Sequence, residues 1–79
     1  MKELKDLITY ILQALVDNPD KVQVNEIAGD KSIIYELRVG EGDLGKVIGK
    51  EGRTAHAIRT IITAAAMKVG KRTVIEILE

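Results

Sequence analysis

Leu4, Leu7, Ile8, Ile11, Leu12, Leu15 and Val16 recur at the three- and four-residue spacing of one helical face, with Lys2, Lys5 and Asp6 among the polar positions between them. This pattern predicts an amphipathic helix over residues 2 to 17, ended by Asn18-Pro19 because proline drives the residue before it out of helical geometry. The period then shortens to two. Val22, Val24 and Ile27 stop at Gly29-Asp30, and Ile33, Tyr35, Leu37 and Val39 alternate with Ser32, Glu36 and Arg38. Two such runs around a turn signal predict a β-hairpin, in which Ile34 is the one apolar residue on the polar face. Gly40-Glu41-Gly42 breaks the second strand, Asp43 stands where an N-cap would, and Leu44 to Ile48 predict a short helix stopping at Gly49. From Arg53 to about Val69 a long helix is expected, with Ile58, Ile61, Ile62, Ala65 and Val69 as its stripe and Gly70 as its end. Thr73 to Leu78 reads as a last strand whose nearly continuous apolar character suits a position covered by helices. The order α-β-β-α-α-β implies an α+β domain with three helices on one face of a three-stranded sheet.

Composition narrows the means of holding that fold together. A chain of 79 residues forms one small domain, burying roughly 60 to 65% of its unfolded surface. With no cysteine there is neither a disulfide nor a thiolate metal site, and with no Phe or Trp the core is expected to be mostly Leu, Ile, Val and Ala. No apolar run approaches the length of a signal h-region or a membrane span, so a cytoplasmic protein without membrane contact is expected.

Charge changes the picture through its distribution. The formal net charge is zero, yet residues 1 to 45 hold five basic and nine acidic side chains, a balance of −4. Residues 46 to 72 hold seven basic and one acidic, a balance of +6, and residues 73 to 79 only two acidic ones, a balance of −2. The basic segment contains Gly49-Lys50-Glu51-Gly52, a GXXG loop between Val47-Ile48 and the helix starting at Arg53. Glycines at both ends leave no Cβ to obstruct a phosphodiester backbone and tolerate positive φ. The following helix would aim N–H groups and the positive end of its dipole at phosphates.

The string Leu44-Gly45-Lys46-Val47-Ile48-Gly49-Lys50-Glu51-Gly52-Arg53-Thr54-Ala55-His56-Ala57-Ile58-Arg59-Thr60-Ile61 resembles the core signature of a KH domain. The element order is similar to the bacterial type II arrangement, and the whole chain, residues 1 to 79, resembles the KhpA family of small KH proteins. The resemblance implies that the GXXG loop at 49 to 52 clamps short single-stranded RNA. Gly49, Lys50, Glu51 and Gly52 would hold the sugar-phosphate backbone, Lys50 and Arg53 would supply charge, and Lys46 and Arg59 would reach flanking phosphates. Val47, Ile48 and Ala55 would line the groove for bases, joined by Leu37 or Val39, and His56 on the first turn of the long helix would approach the RNA. Glu51 opposes phosphate binding and is expected to point away from it. The family further implies RNA chaperoning or post-transcriptional regulation, with links to cell-wall growth and cell shape. It also implies self-association or pairing with KhpB, a larger RNA-binding protein with its own KH domain.

Other chemistry finds no support. Gly40-Glu41-Gly42-Asp43-Leu44-Gly45 fits GxGxxG, but the chain is too short for the parallel strands of a dinucleotide fold. Gly45 to Lys50 is one residue short of a Walker A loop, with Glu51 where Ser or Thr should hold magnesium. His56 is the only histidine and Ser32 the only serine, so no triad, metal site, cofactor site or other catalytic group is expected. The long helix is apolar or small around much more than its core stripe, so its outer face, Ala57, Thr60, Ile61 and Ala64, is expected to pack against a second copy or another protein. A protein-interaction module with a vestigial loop and a ribosome-associated factor stand as the alternative functions.

Overall fold

A computed structural model describes residues 2–79. Helix α1 (Lys2–Leu15) is followed by a 3-10 turn (Pro19–Lys21), strands β1 (Gln23–Ala28) and β2 (Ser32–Arg38), helix α2 (Leu44–Ile48), a tight turn (Lys50–Gly52), helix α3 (Arg53–Lys68) and strand β3 (Arg72–Ile77). The α-β-β-α-α-β order expected from the hydrophobic pattern is therefore present. The sheet order is β1-β2-β3, β1 antiparallel to β2 and β2 parallel to β3. α1 packs over β1 and α3 over β3, with α2 against both helices.

The core forms where the helical stripes meet the alternate residues of the strands. Leu4, Ile8, Leu12 and Val16 from α1 and the residue following it meet Ile33, Tyr35 and Leu37 of β2, Val47 of α2, Ile58, Ile62 and Ala66 of α3, and Ile75 of β3. Ile8, Leu12 and Ile62 are completely enclosed, each worth about 2 kcal/mol of burial. Tyr35 is equally enclosed; burial, helped by its hydrogen bond to Glu26, pushes its hydroxyl well above the ordinary tyrosine value.

Three local expectations are corrected. α1 ends at Leu15 instead of residue 17, because the N–H groups of Asp17 and Asn18 are taken by the Asp43 carboxylate at 3.3 and 3.0 Å. β3 lies under α3 as expected, but as an edge strand whose other side is uncovered, so Val74 and Glu76 lie on the open face of the sheet despite the apolar run. In α3 the buried residues are Ala55, Ile58, Ile62 and Ala66, while Ile61 and Val69 are exposed. A stripe read at helical spacing is broader than the strip that actually meets the core, and flanking positions fall outside it.

Candidate nucleic-acid interface

The short helix α2 presents its loop from a fixed base. Asp43 occupies the N-cap position, yet its side chain makes no cap bond to the helix it precedes. Instead the carboxylate, 2% exposed, accepts hydrogen bonds from the backbone N–H of Asp17 and Asn18 and from Asn18 Nδ2 at 3.2 Å. Lys46 Nζ lies 3.6 Å from it and 3.2 Å from Asp17 Oδ2. Burial raises the Asp43 pKa, but the bonds from Asn18 and Asp17 and the Lys46 charge outweigh it and hold the group below the usual carboxylate value. Hydrogen bonding to Asp17, then the charges of Asp17 and Asp43, holds Lys46 above the usual lysine value despite some burial. The end of α1 is thereby tied to the start of α2, and α2 leads directly into the loop.

Gly49 N–H donates to Gly45 O at 2.8 Å and Gly52 N–H to Gly49 O at 3.1 Å, closing the loop into one tight turn. Its conformation is mostly left-handed: Gly49 has φ 76°, ψ 173°, Glu51 φ 57°, ψ 25° and Gly52 φ 75°, ψ 12°. The glycines differ in what surrounds them. A Cβ on Gly49 would lie 2.2 Å from Thr54 Oγ1 and 2.8 Å from the Thr54 backbone N, whereas one on Gly52 would meet nothing within 4 Å. α3 starts from Gly52 with no side-chain cap; Arg53 N–H donates to Lys50 O, and the positive end of the helix dipole favours an anion at this first turn.

The structure brings some of the expected contact residues together and leaves others apart. Lys50 is exposed at the tip, and Arg53 is exposed beside it with its Nη2 3.8 Å from Glu51 Oε1. Arg53, His56 and Arg59 are all exposed and step along one flank of α3 at three-residue intervals. Glu51 leans toward Arg53. Lys46 is committed to Asp17 and Asp43, so it is not a free cation for a flanking phosphate. Val47 and Ala55 are buried and Leu37 is wholly enclosed; of the apolar groove candidates Ile48, 37% exposed, and the half-buried Val39 retain surface. Tyr35 being enclosed, Tyr10 on α1 is the exposed aromatic side chain.

The basic segment is also less concentrated in space than in sequence. Lys68 lies about 22 Å along α3 from Arg53, Lys71 Nζ donates to Asp30 O at 2.7 Å, and Arg72 stands on the open face of the sheet. A depression of about 810 Å³ lined by Lys31, Ser32, Thr63, Met67, Lys71 and Thr73 lies at that far end. That depression lies away from the Gly49–Gly52 loop, which is an open turn. Sequence reasoning missed Asp43 as the anchor of that loop; an acid between Gly42 and Leu44 signals only a cap, and its partners are 25 and 26 positions away.

A helix pair joined by a GXXG turn on a three-stranded α+β sheet defines a KH domain. The sequence profile of the KhpA/KhpB KH domain matches residues 5–77, and the chain belongs to that family. It is 57% identical to the RNA-binding protein KhpA of Aquifex aeolicus over the full length of both chains. It is 59% identical to that of Caldanaerobacter subterraneus over 92% of this chain and 97% of the relative, and 46% identical to that of Chlamydia trachomatis over 96% and 97%. No solved structure matches the chain. No helix among the described residues is long and apolar enough to cross a membrane.

Proposed function

We propose that this domain binds short single-stranded RNA through the Gly49–Gly52 loop, with modest affinity and little sequence preference. The observation that carries the reading is the left-handed turn at Glu51 and Gly52, which opens onto an uncapped helix start flanked by Lys50 and Arg53. The relatives named RNA-binding protein KhpA support it. Gly49 and Gly52 give the loop its shape, Lys50 and Arg53 neutralise phosphates, and His56 and Arg59 extend the contact along α3. Ile48 offers apolar surface to a base. The role that follows is that of a cytoplasmic RNA chaperone or post-transcriptional regulator, tied by family resemblance to cell-wall growth and cell shape. On α3 the exposed face of Ala57, Thr60, Ile61 and Ala64 receives a second copy or a larger KH-containing partner of the KhpB kind; Ile61 is 50% exposed there.

The test is fluorescence anisotropy of a labelled unstructured RNA with the wild-type chain and with the Lys50→Asp, Glu51→Asp double variant. Saturable binding by the wild type, lost in a variant with unchanged circular dichroism, is expected. Two phosphate contacts would give a slope of about −1.4 in log K against log salt. No binding by either protein favours an interaction module, a reading to which the exposed Ile61 points. Ile61→Glu should move self-association toward monomer in sedimentation velocity while leaving RNA binding by the monomer intact.

A further inference from the structure

The face of the sheet turned away from the helices carries a pattern that the RNA reading does not use. Register places Ile27 opposite Ile34 and Ile34 opposite Val74, so three β-branched side chains form one row across all three strands. Ile27 and Val74 are 48% and 47% exposed. Ile34, the residue that breaks the alternation of β2, is the middle of this row. Glu36 and Glu76 pair beside it on one side, Ser32 and Arg72 on the other. A short apolar row alone is what strand propensity selects.

The charges add a symmetry. Arg72 and Glu76 stand two residues before and two after Val74 on the same face, about 13 Å apart along the strand, too far to pair with each other. Neither has an ion-pair partner among the described residues. A two-fold axis laid along the Ile27–Ile34–Val74 row reverses the strands, sets row on row, and brings Glu76 of each copy over Arg72 of the other. Glu36 of each copy then falls over Ser32 of the other, and no like charges of this set are opposed.

We propose that this open face binds a second copy of the chain, sheet on sheet, with the apolar rows in contact and two symmetric Arg72–Glu76 pairs at its rim. The contact is isologous. Three strands about 4.8 Å apart and about 20 Å long present roughly 300 Å² per copy, below the ~800 Å² per partner of stable complexes, so the association is weak and salt-sensitive. The face lies opposite the helices and leaves both Gly49–Gly52 loops free. Two loops in one particle raise the local concentration of the second for an RNA long enough to reach both.

The proposal stands on the sheet alone and is tested in an Ile61→Glu background, which removes the α3 contact. Sedimentation velocity on that protein, with Glu76→Arg, with Arg72→Glu, and with both exchanged, is compared up to about 1 mM, the range expected of so small an interface. The expected result is concentration-dependent association that each single reversal weakens about ten-fold or more, that the exchange restores, and that added salt weakens. Circular dichroism confirms the fold of each, and Ile27→Lys, at the other end of the row, is the second probe should a reversal perturb it. A background protein monomeric throughout, or association indifferent to these reversals, overturns the proposal; indifference would assign the contact to another surface such as the free edge of β3.

Discussion

The two ends of the Gly49–Gly52 loop share a residue type and nearly the same φ, 76° and 75°, yet they answer to different constraints. At Gly49 the missing Cβ is demanded by Thr54, part of the protein itself, and the base beneath it is tied through α2 and Asp43 to the end of α1. At Gly52 the space is open and only the left-handed backbone asks for glycine. One glycine fixes the base of the loop and the other leaves its far end open. A GXXG pattern is thus half a packing requirement and half a surface, and the halves should respond differently to the same substitution.

Gly49→Ala should do the most damage. Its φ and ψ fall in a region nearly closed to other residues, and the Thr54 backbone cannot retreat, so a loss of about 3 kcal/mol or more is expected in urea denaturation. Asp43→Asn strikes the same anchored end by replacing an acceptor of three N–H bonds with a group that must turn an NH2 toward one of them. Its cost should depend on pH. The folded Asp43 pKa lies below its unfolded value, so its contribution is fully present above about pH 4 and is lost as pH falls through the folded value. Melts at neutral pH should separate wild type from Asp43→Asn, and melts below about pH 3 should bring them closer; a pH-independent gap would mean that the carboxylate charge is not what holds the tie.

Gly52→Ala, at the open end, meets no atom and bears only the left-handed penalty, about 1 kcal/mol. Equal losses at Gly49 and Gly52 would erase the distinction between the two ends. Smallest is Glu51, a non-glycine residue at φ 57°. Glu51→Asn should raise stability by about 0.5 kcal/mol, since asparagine visits that region more readily. Glu51→Gln, which frees Arg53 from an exposed ion pair, should tighten the proposed RNA binding about two- to five-fold in the anisotropy assay.

Much of the fold was legible in the chain because it rests on periodicity. The helical spacing of Leu4, Ile8 and Leu12 and the alternation of Ile33, Tyr35 and Leu37 are local signals, and each sends its residues to the core. The turn was legible because glycine at both of its ends supplies the positive φ that it adopts. Less legible was which candidate residues keep their surface. Val47 and Ala55 looked like groove residues and are core, and Lys46 looked like a phosphate ligand and is held by two acids. Burial and ion pairing depend on elements distant in sequence, here the end of α1, and no pattern within residues 44 to 61 carries that information.

The sequence by itself determined the order of elements, the composition of the core and the place of the glycine turn, since these follow from side-chain period, turn chemistry and backbone freedom within a few residues. Only the tertiary structure decided that Asp43 anchors instead of caps, that β3 is an edge strand, that the basic segment divides between the loop, the far end of α3 and the open sheet face, and that Ile27, Ile34 and Val74 share one row. Each of those is a relation between residues brought together by packing and register, which the pattern along a single segment does not contain.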